Sequence, residues 1–166
     1  MRSSIRLNPL YTDCSRAIRA LRLHVRTFRQ FWLLCQMLAW SICLRMIRPL
    51  LSVQRLVWLA IPAYSKDYVH SVNVLTYMQW LDSIGILVRT HNCLVRALVC
   101  HRFLTLSGMK SSVLIGFDGR KGHSWVEVNG EAVLEKQGIL DRYRPLLTIY
   151  PGSRKLVKIY GFQKNC

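Results

Sequence analysis

The chain has 166 residues, a length that suits one domain with a real core. Hydrophobic residues make up 51% of it and charged residues only 19%, yet 24 Lys and Arg stand against 8 Asp and Glu, for a formal net charge of +16. Such a surplus attracts something anionic, an acidic lipid or an acidic peptide. Nucleic acid is set aside: there is no helix-turn-helix, zinc-finger or RNA-recognition signature, and the arginines are spread through both halves.

The six cysteines, at 14, 35, 43, 93, 100 and 166, include no CxxC pair, which argues against a zinc or redox motif; no metal site is expected. Arg2 and Arg6 are followed by polar residues and not by an apolar run, so no signal peptide is expected and the cysteines are read as reduced, in a cytoplasmic protein. Cys35, Cys43 and Cys100 lie in apolar helical runs and are read as small core residues.

After an irregular start, Asp13 can cap a helix in which Ala17, Leu21, Val25 and Phe28 follow helical spacing and Arg16, Arg19, Arg22, Arg26 and Arg29 crowd the other positions. This basic amphipathic helix suits a solvated face, a membrane surface or an acidic partner. Phe31–Leu44 is almost wholly apolar. The charge-free stretch between Arg29 and Arg45 falls short of the roughly 20 residues a spanning helix needs, so a buried or surface-lying helix is expected, ended or kinked by Pro49. Ser52–Ile61 reads as a helix stopped by Pro62, and Tyr68–Leu81 as a third apolar helix before Asp82 and Gly85. A short strand or turn at Ile86–Val88 leads to Arg89. Residues 1–91 show no repeat and no alternation of the hairpin kind, so they are expected to form a helical N-terminal region packed on a core at 92–166, in one compact unit.

The second half carries the chemistry. Cys93 opens a helical pattern (Leu94, Ala97, Leu98, Phe103, Leu104) that Ser107-Gly108 ends. Ser112–Phe117 and Ser124–Val128 read as strands, with a Gly-rich loop at 118–122 and His123 at the start of the second strand. A helix N-terminus favours a thiolate, and a neighbouring imidazole can take the thiol proton and return it to a leaving amine. Cys93 and His123 are therefore the candidate nucleophile and base. Cys100 and His101, two turns on, are read as bystanders, and Arg96 as a structural pairing residue. Trp125 shares the face of His123 on a regular strand, as a wall of the site or as a core aromatic. His91 and Asn92, with the backbone N–H of Cys93, are candidates for an oxyanion hole. Further strands are expected within Arg142–Tyr150 and at Lys155–Tyr160.

The run Asn92-Cys93-Leu94-Val95-Arg96-Ala97-Leu98, the strand SSVLIGF and the run His123-Ser124-Trp125-Val126-Glu127-Val128-Asn129-Gly130 resemble the transglutaminase-like cysteine peptidases of lasso-peptide biosynthesis, the B proteins or their separate peptidase half. The resemblance spans roughly residues 80–150. It implies an α+β fold in which an N-terminal helical layer precedes a papain-like core, the Cys-bearing helix packed on an antiparallel sheet. It also implies removal of the leader from a lasso-peptide precursor. Cleavage would need no cofactor; ATP would be used by a partner, an asparagine-synthetase-like cyclase. The family's leader-binding module contains an antiparallel sheet that residues 1–91 do not announce, so a separate leader-recognition protein is implied.

The family places an Asp on the strand after the His strand, and that position is here Glu135, twelve residues after His123. Its reach depends on the hairpin at Asn129-Gly130. A two-residue loop pairs Val128 with Glu131 and turns Glu135 away from His123; a three-residue loop, or a bulge, puts the two on one face. Asn129 and Asp141 are the substitutes. The other readings are acyl transfer to an amine on the same scaffold, told apart by product analysis, and a non-catalytic scaffold protein, in which Cys93 would ignore a thiol-reactive probe.

Overall fold

Thr27 and Gln30 form a capping box: the Thr27 hydroxyl accepts from the Gln30 N–H at 3.3 Å and the Gln30 side chain accepts from the Thr27 N–H at 3.2 Å. This fixes the start of α1, Phe28–Ile47, which is longer at both ends than the charge-free run suggested. A computed structural model, the structure describes residues 25, 27–62, 71–83, 93–135, 137–150, 155 and 157–158. The arginine-rich helix expected before residue 25 and the turn at 86–88 lie outside them. Pro49 does not break α1 abruptly but sits in a 3-10 turn, Arg48–Leu50, that continues it. Together Phe28–Leu50 make 23 residues of mean hydropathy 1.3, long and apolar enough to cross a membrane by length and composition. The charge-free run is itself as short as expected; the longer segment arises because Arg29, Arg45 and Arg48 are taken into it.

Ser52 caps α2, Val53–Ala60, which stops two residues before Pro62, leaving Ile61 in the extended conformation that the proline's steric demand favours. The third helix, α3, is Ser71–Ser83, and α4 is Cys93–Leu106. The end of α4 is a Schellman motif. Gly108 is left-handed at φ 79, its N–H bonds the Thr105 carbonyl at 3.0 Å, and the Met109 N–H bonds that of Leu104 at 3.0 Å.

Most of α4 is buried all round, from Leu94 to Leu104. It packs against α1, α2 and α3 on one side and against the sheet on the other. Arg102 ties the helical side together, donating to the Ala60 carbonyl at 2.8 Å and stacking 3.9 Å over the Trp40 ring. Toward the sheet, buried His101 meets the Ser111 hydroxyl at 2.8 Å, and burial lowers its pKa to about 4, so it is neutral. Cys100 is buried as expected of a core residue, but Cys43 is exposed and Cys35 only partly covered, because α1 turns those positions outward.

The sheet is antiparallel throughout, in the order β3-β2-β1-β4-β5: β1 Ser111–Phe117, β2 Gly122–Val128, β3 Glu131–Val133, β4 Arg144–Ile149 and β5 Val157–Lys158. A four-residue helix, α5, Gln137–Leu140, precedes β4. Thus the α+β architecture expected from the sequence, helices followed by a Cys-bearing helix on an antiparallel sheet, is present.

Gly116, opposite His123 on β1, lies at a register shift against β4. A Cβ there would come within 2.9 Å of the Arg144 carbonyl oxygen and of the Trp125 ring. Trp125 is buried and has no room to retreat. Gly116→Ala should therefore cost about 1–3 kcal/mol by overpacking, read as a lower midpoint in urea unfolding. Gly138→Ala, whose Cβ meets nothing within 4 Å, should leave the midpoint unchanged or raise it slightly. Equal midpoints for the two variants would show that the close approach of Trp125 to Gly116 is wrong.

Candidate active site

Cys93 is the first residue of α4, where free backbone N–H groups and the helix dipole favour an anion. His123 is the second residue of β2. The packing of α4 on β2 brings the two side chains together, close enough for the imidazole to lower the pKa of the thiol. Burial alone would raise the pKa of the Cys93 thiol; the hydrogen bond with His123 and contacts with Ser124 outweigh it, and the thiol sits below its ordinary value. His123 moves the other way, up to about 9, through its hydrogen bond with Cys93 first and through Glu135 second. The pair is stabilised as thiolate and imidazolium.

Glu135 reaches His123 by a route that neither simple hairpin register offers. Asn129 and Gly130 are both left-handed, φ 54 and 83, in a two-residue type I′ turn, and Val128 pairs with Glu131. Continued regularly, that register would turn Glu135 away. Instead β3 stops at Val133, and Leu134 adopts φ 67, a left-handed conformation uncommon for a leucine. The strand is broken there, and the Glu135 carboxylate comes to 3.5 Å from His123 Nε2. That distance is too long for a strong hydrogen bond, and Nε2 is buried with no geometrically sound partner. The contact is therefore an ion pair, with side chains only 20% and 12% exposed. Since Nε2 faces Glu135, Nδ1 is the nitrogen left for Cys93.

Glu135 is held in turn by Arg96, one helical turn after Cys93. The guanidinium donates to the Glu135 carboxylate, to the Leu134 carbonyl at 2.9 Å and to Asp82 of α3 at 2.8 Å. Burial would raise the pKa of Glu135, but His123 and Arg96 together hold it below the ordinary carboxylate value. Asp82 is raised, because burial outweighs its bond to Arg96, and its second oxygen has no hydrogen-bond partner. An open recess of about 410 Å³, lined by Gln79, Asp82, Arg96, Leu134 and Glu135, borders these carboxylates.

Two aromatic rings flank the imidazole: Trp125, stacked at 6.2 Å between centroids, and Tyr143, tilted at 5.1 Å. Trp125 is buried and donates to Glu127 at 2.9 Å, so it backs the imidazole from within the core rather than walling an open cleft. Asn129 stands at the far end of β2, about 20 Å of strand from His123. Asp141 is exposed in a turn. Neither takes the place of Glu135. His91 and Asn92 lie outside the described residues. The part played by Arg96 was within reach of the sequence, since positions 93 and 96 share a helix face. Asp82 read only as a helix stop, and nothing in the sequence singled out Tyr143. Among the described residues no group of His, Cys, Asp or Glu is placed to hold a metal ion.

A sequence model described as the transglutaminase-like superfamily matches residues 33–148, well over half of the chain, and takes in α1 as well as β4. No curated protein and no solved structure matches. The chain belongs to the transglutaminase-like superfamily.

The electrostatics predict a chemical reactivity. Iodoacetamide at neutral pH should alkylate Cys93 faster than Cys43, although Cys43 is the more exposed, and should spare buried Cys100, whose pKa burial pushes up to about 12. A thiol loses its anion as pH falls through its pKa, so the lowered value of Cys93 keeps its rate high at pH values where an ordinary thiol has slowed. His123→Ala removes the largest lowering influence and should move that profile to higher pH. The measurement is peptide-resolved mass spectrometry over a pH series; superimposable profiles would mean the two side chains are not paired.

Proposed function

We propose that this member of the transglutaminase-like superfamily is a cysteine peptidase that removes the leader from a lasso-peptide precursor. The observation that carries the reading is the placement of Cys93, at a helix N-terminus packed on β2, beside His123, with Glu135 3.5 Å behind the imidazole. The Cys93 thiolate attacks the scissile carbonyl to form a tetrahedral oxyanion, for which the backbone N–H of Cys93 and the start of α4 offer stabilisation. Asn92 and His91 are the neighbouring candidates for that task. His123 gives its proton to the leaving amine, which departs as the new N-terminus of the core peptide. Water then attacks the thioester while His123 takes its proton, and collapse of the intermediate releases the leader as a carboxylic acid with Cys93 restored. Glu135 keeps the imidazole in one orientation and stabilises its cationic form. No step requires a cofactor.

The freed amine is the natural substrate of an ATP-dependent cyclase, an asparagine-synthetase-like partner that would activate a carboxylate to close the ring. A second reading, acyl transfer to an amine in place of water, uses the same thioester. Mass analysis of the released leader separates the two, since a free acid supports hydrolysis and an amide supports transfer.

Cys93→Ala should abolish cleavage while the fold persists, a loss of several orders of magnitude. Glu135→Gln should cost less than Glu135→Ala, because the amide loses the ion pair but keeps a polar oxygen facing His123 Nε2. Steady-state rates on a candidate precursor, with circular dichroism to check folding, give the answer; turnover by folded Cys93→Ala at the wild-type rate removes the mechanism.

Among the described residues before Cys93 there are only helices, and leader capture by strand addition needs an open sheet edge. A separate leader-binding protein would hold the precursor and raise its local concentration, an effect on apparent KM more than on kcat. Cleavage of full-length precursor well below KM should therefore accelerate when that partner is added. Equal rates with and without it would place leader recognition in this chain.

A further inference from the structure

Two opposite faces of α1 are apolar. Leu33, Leu34, Met37 and Leu44 form the inward stripe, each at most 6% exposed. Phe28, Phe31, Trp32, Ile42 and Met46, with exposed Ala39 between them, form the other: at 3.6 residues per turn they fall on one line along the side away from the core. In the helix of an ordinary soluble domain that side would carry polar residues. Here Phe28 is 78%, Trp32 57% and Met46 70% exposed. Past the end of α1, Leu50 of the 3-10 turn and Val53 and Trp58 of α2 are exposed as well. So long an apolar surface marks an interaction site.

The charge around it selects the partner. From residue 27 to residue 62 the sequence has no Asp or Glu, against four Arg. Arg29, Arg45 and Arg55 are exposed beside the apolar stripe. A second copy of the chain, itself at +16, would bring like charge against like. Aromatic and aliphatic side chains flanked by arginines on long flexible arms suit the boundary between lipid acyl chains and anionic headgroups, where the arms reach outward to phosphate. The helix has the length and hydropathy to cross a bilayer. Crossing would strip its inward stripe from the core of the domain, whereas lying in the membrane plane uses the outward stripe and leaves the core intact.

We propose that the outward face of α1 docks this protein on the surface of an anionic membrane. The inference does not depend on the reaction assigned to Cys93, and its test does not use activity. The full chain is mixed with vesicles of pure phosphatidylcholine and with vesicles of equal phosphatidylcholine and phosphatidylglycerol, and bound protein is measured by sedimentation at low and high salt. Binding should be strong to the mixed vesicles, weak to the neutral ones, and reduced by salt. The paired substitution Trp32→Glu and Ile42→Glu should lower it about tenfold or more, since two side chains lose their burial in lipid. A milder pair, Trp32→Ser and Met46→Ser, should lower it in the same direction and guards against misfolding of the charged pair; circular dichroism and Cys93 alkylation report the fold. Failure to sediment with the mixed vesicles, equal binding by folded variants, or equal and salt-insensitive binding to neutral vesicles would each overturn the proposal. So would a stable complex with a protein that covers Trp32 and leaves no binding to lipid.

Discussion

The Arg96 guanidinium fixes the position of everything else at the site. It sits on α4 one turn beyond Cys93 and grips three groups on two separate pieces of chain: Asp82 at the end of α3, and the Leu134 carbonyl and Glu135 carboxylate after β3. A planar fork with several fixed donors can do this where a lysine ammonium could not. Without it, Glu135 and the raised Asp82 would be partly buried carboxylates with no cation shared between them, an arrangement whose desolvation cost is several kcal/mol per ion. The thiol and the carboxylate are thus referred to the same rigid helix, and His123 is caught between them.

That arrangement explains how a leucine tolerates a left-handed backbone. The conformation at Leu134 costs on the order of 1–2 kcal/mol. The bond from Arg96 to the Leu134 carbonyl and the ion pairs of Glu135 with Arg96 and His123 offset it, because all of them require the chain to leave the strand at that residue. The strain lies beside the imidazole, where a regular β3 would have carried the carboxylate to the other side of the sheet. The raised pKa of His123 and the lowered pKa of Cys93 follow from the same closeness: a cation held between two anions gives up its proton reluctantly, and each anion gains from the cation.

These features divide cleanly by how local their causes are. The α4 boundaries follow from Cys93 opening an apolar helical period and from Ser107-Gly108, whose left-handed glycine any sequence reading can find. The β2–β3 hairpin follows from Asn129-Gly130, and the order of helices then strands from the change of period near residue 110. Legibility ended where the cause was distant. The break at Leu134 has no sequence signal, since leucine is a poor left-handed residue and only its Arg96 partner explains it. The bridge from Asp82 to Arg96 spans fourteen residues, most of them in a connection the sequence reads as a turn. The ends of α1 differ from the charge-free run for a related reason: absence of charge measures hydropathy, whereas the helix start is set by the capping box of Thr27 and Gln30. Of the two turns that Asn129-Gly130 allows, the structure takes the one that alone would separate Glu135 from His123, then undoes it with the break.

The helix that positions the thiol also carries the N-terminal layer. Arg102, nine residues after Cys93 and so about 14 Å along α4, holds the Ala60 carbonyl of α2 and the Trp40 ring of α1. Arg96 and Arg102 therefore act at two levels of one rod, the first gathering the charged groups of the site and the second fastening α2 and α1, whose outer face is apolar. Because α4 is buried along nearly its whole length, neither end can shift without disturbing the packing between them. A macromolecule or surface that takes hold of α1 and α2 is thereby set at a fixed distance and orientation from Cys93, with no hinge among the described residues of α4 to loosen the link. The division of labour along this helix gives a physical reason for the family match to begin within α1 and not at the cysteine: the first helices supply the buried surface against which α4 becomes rigid.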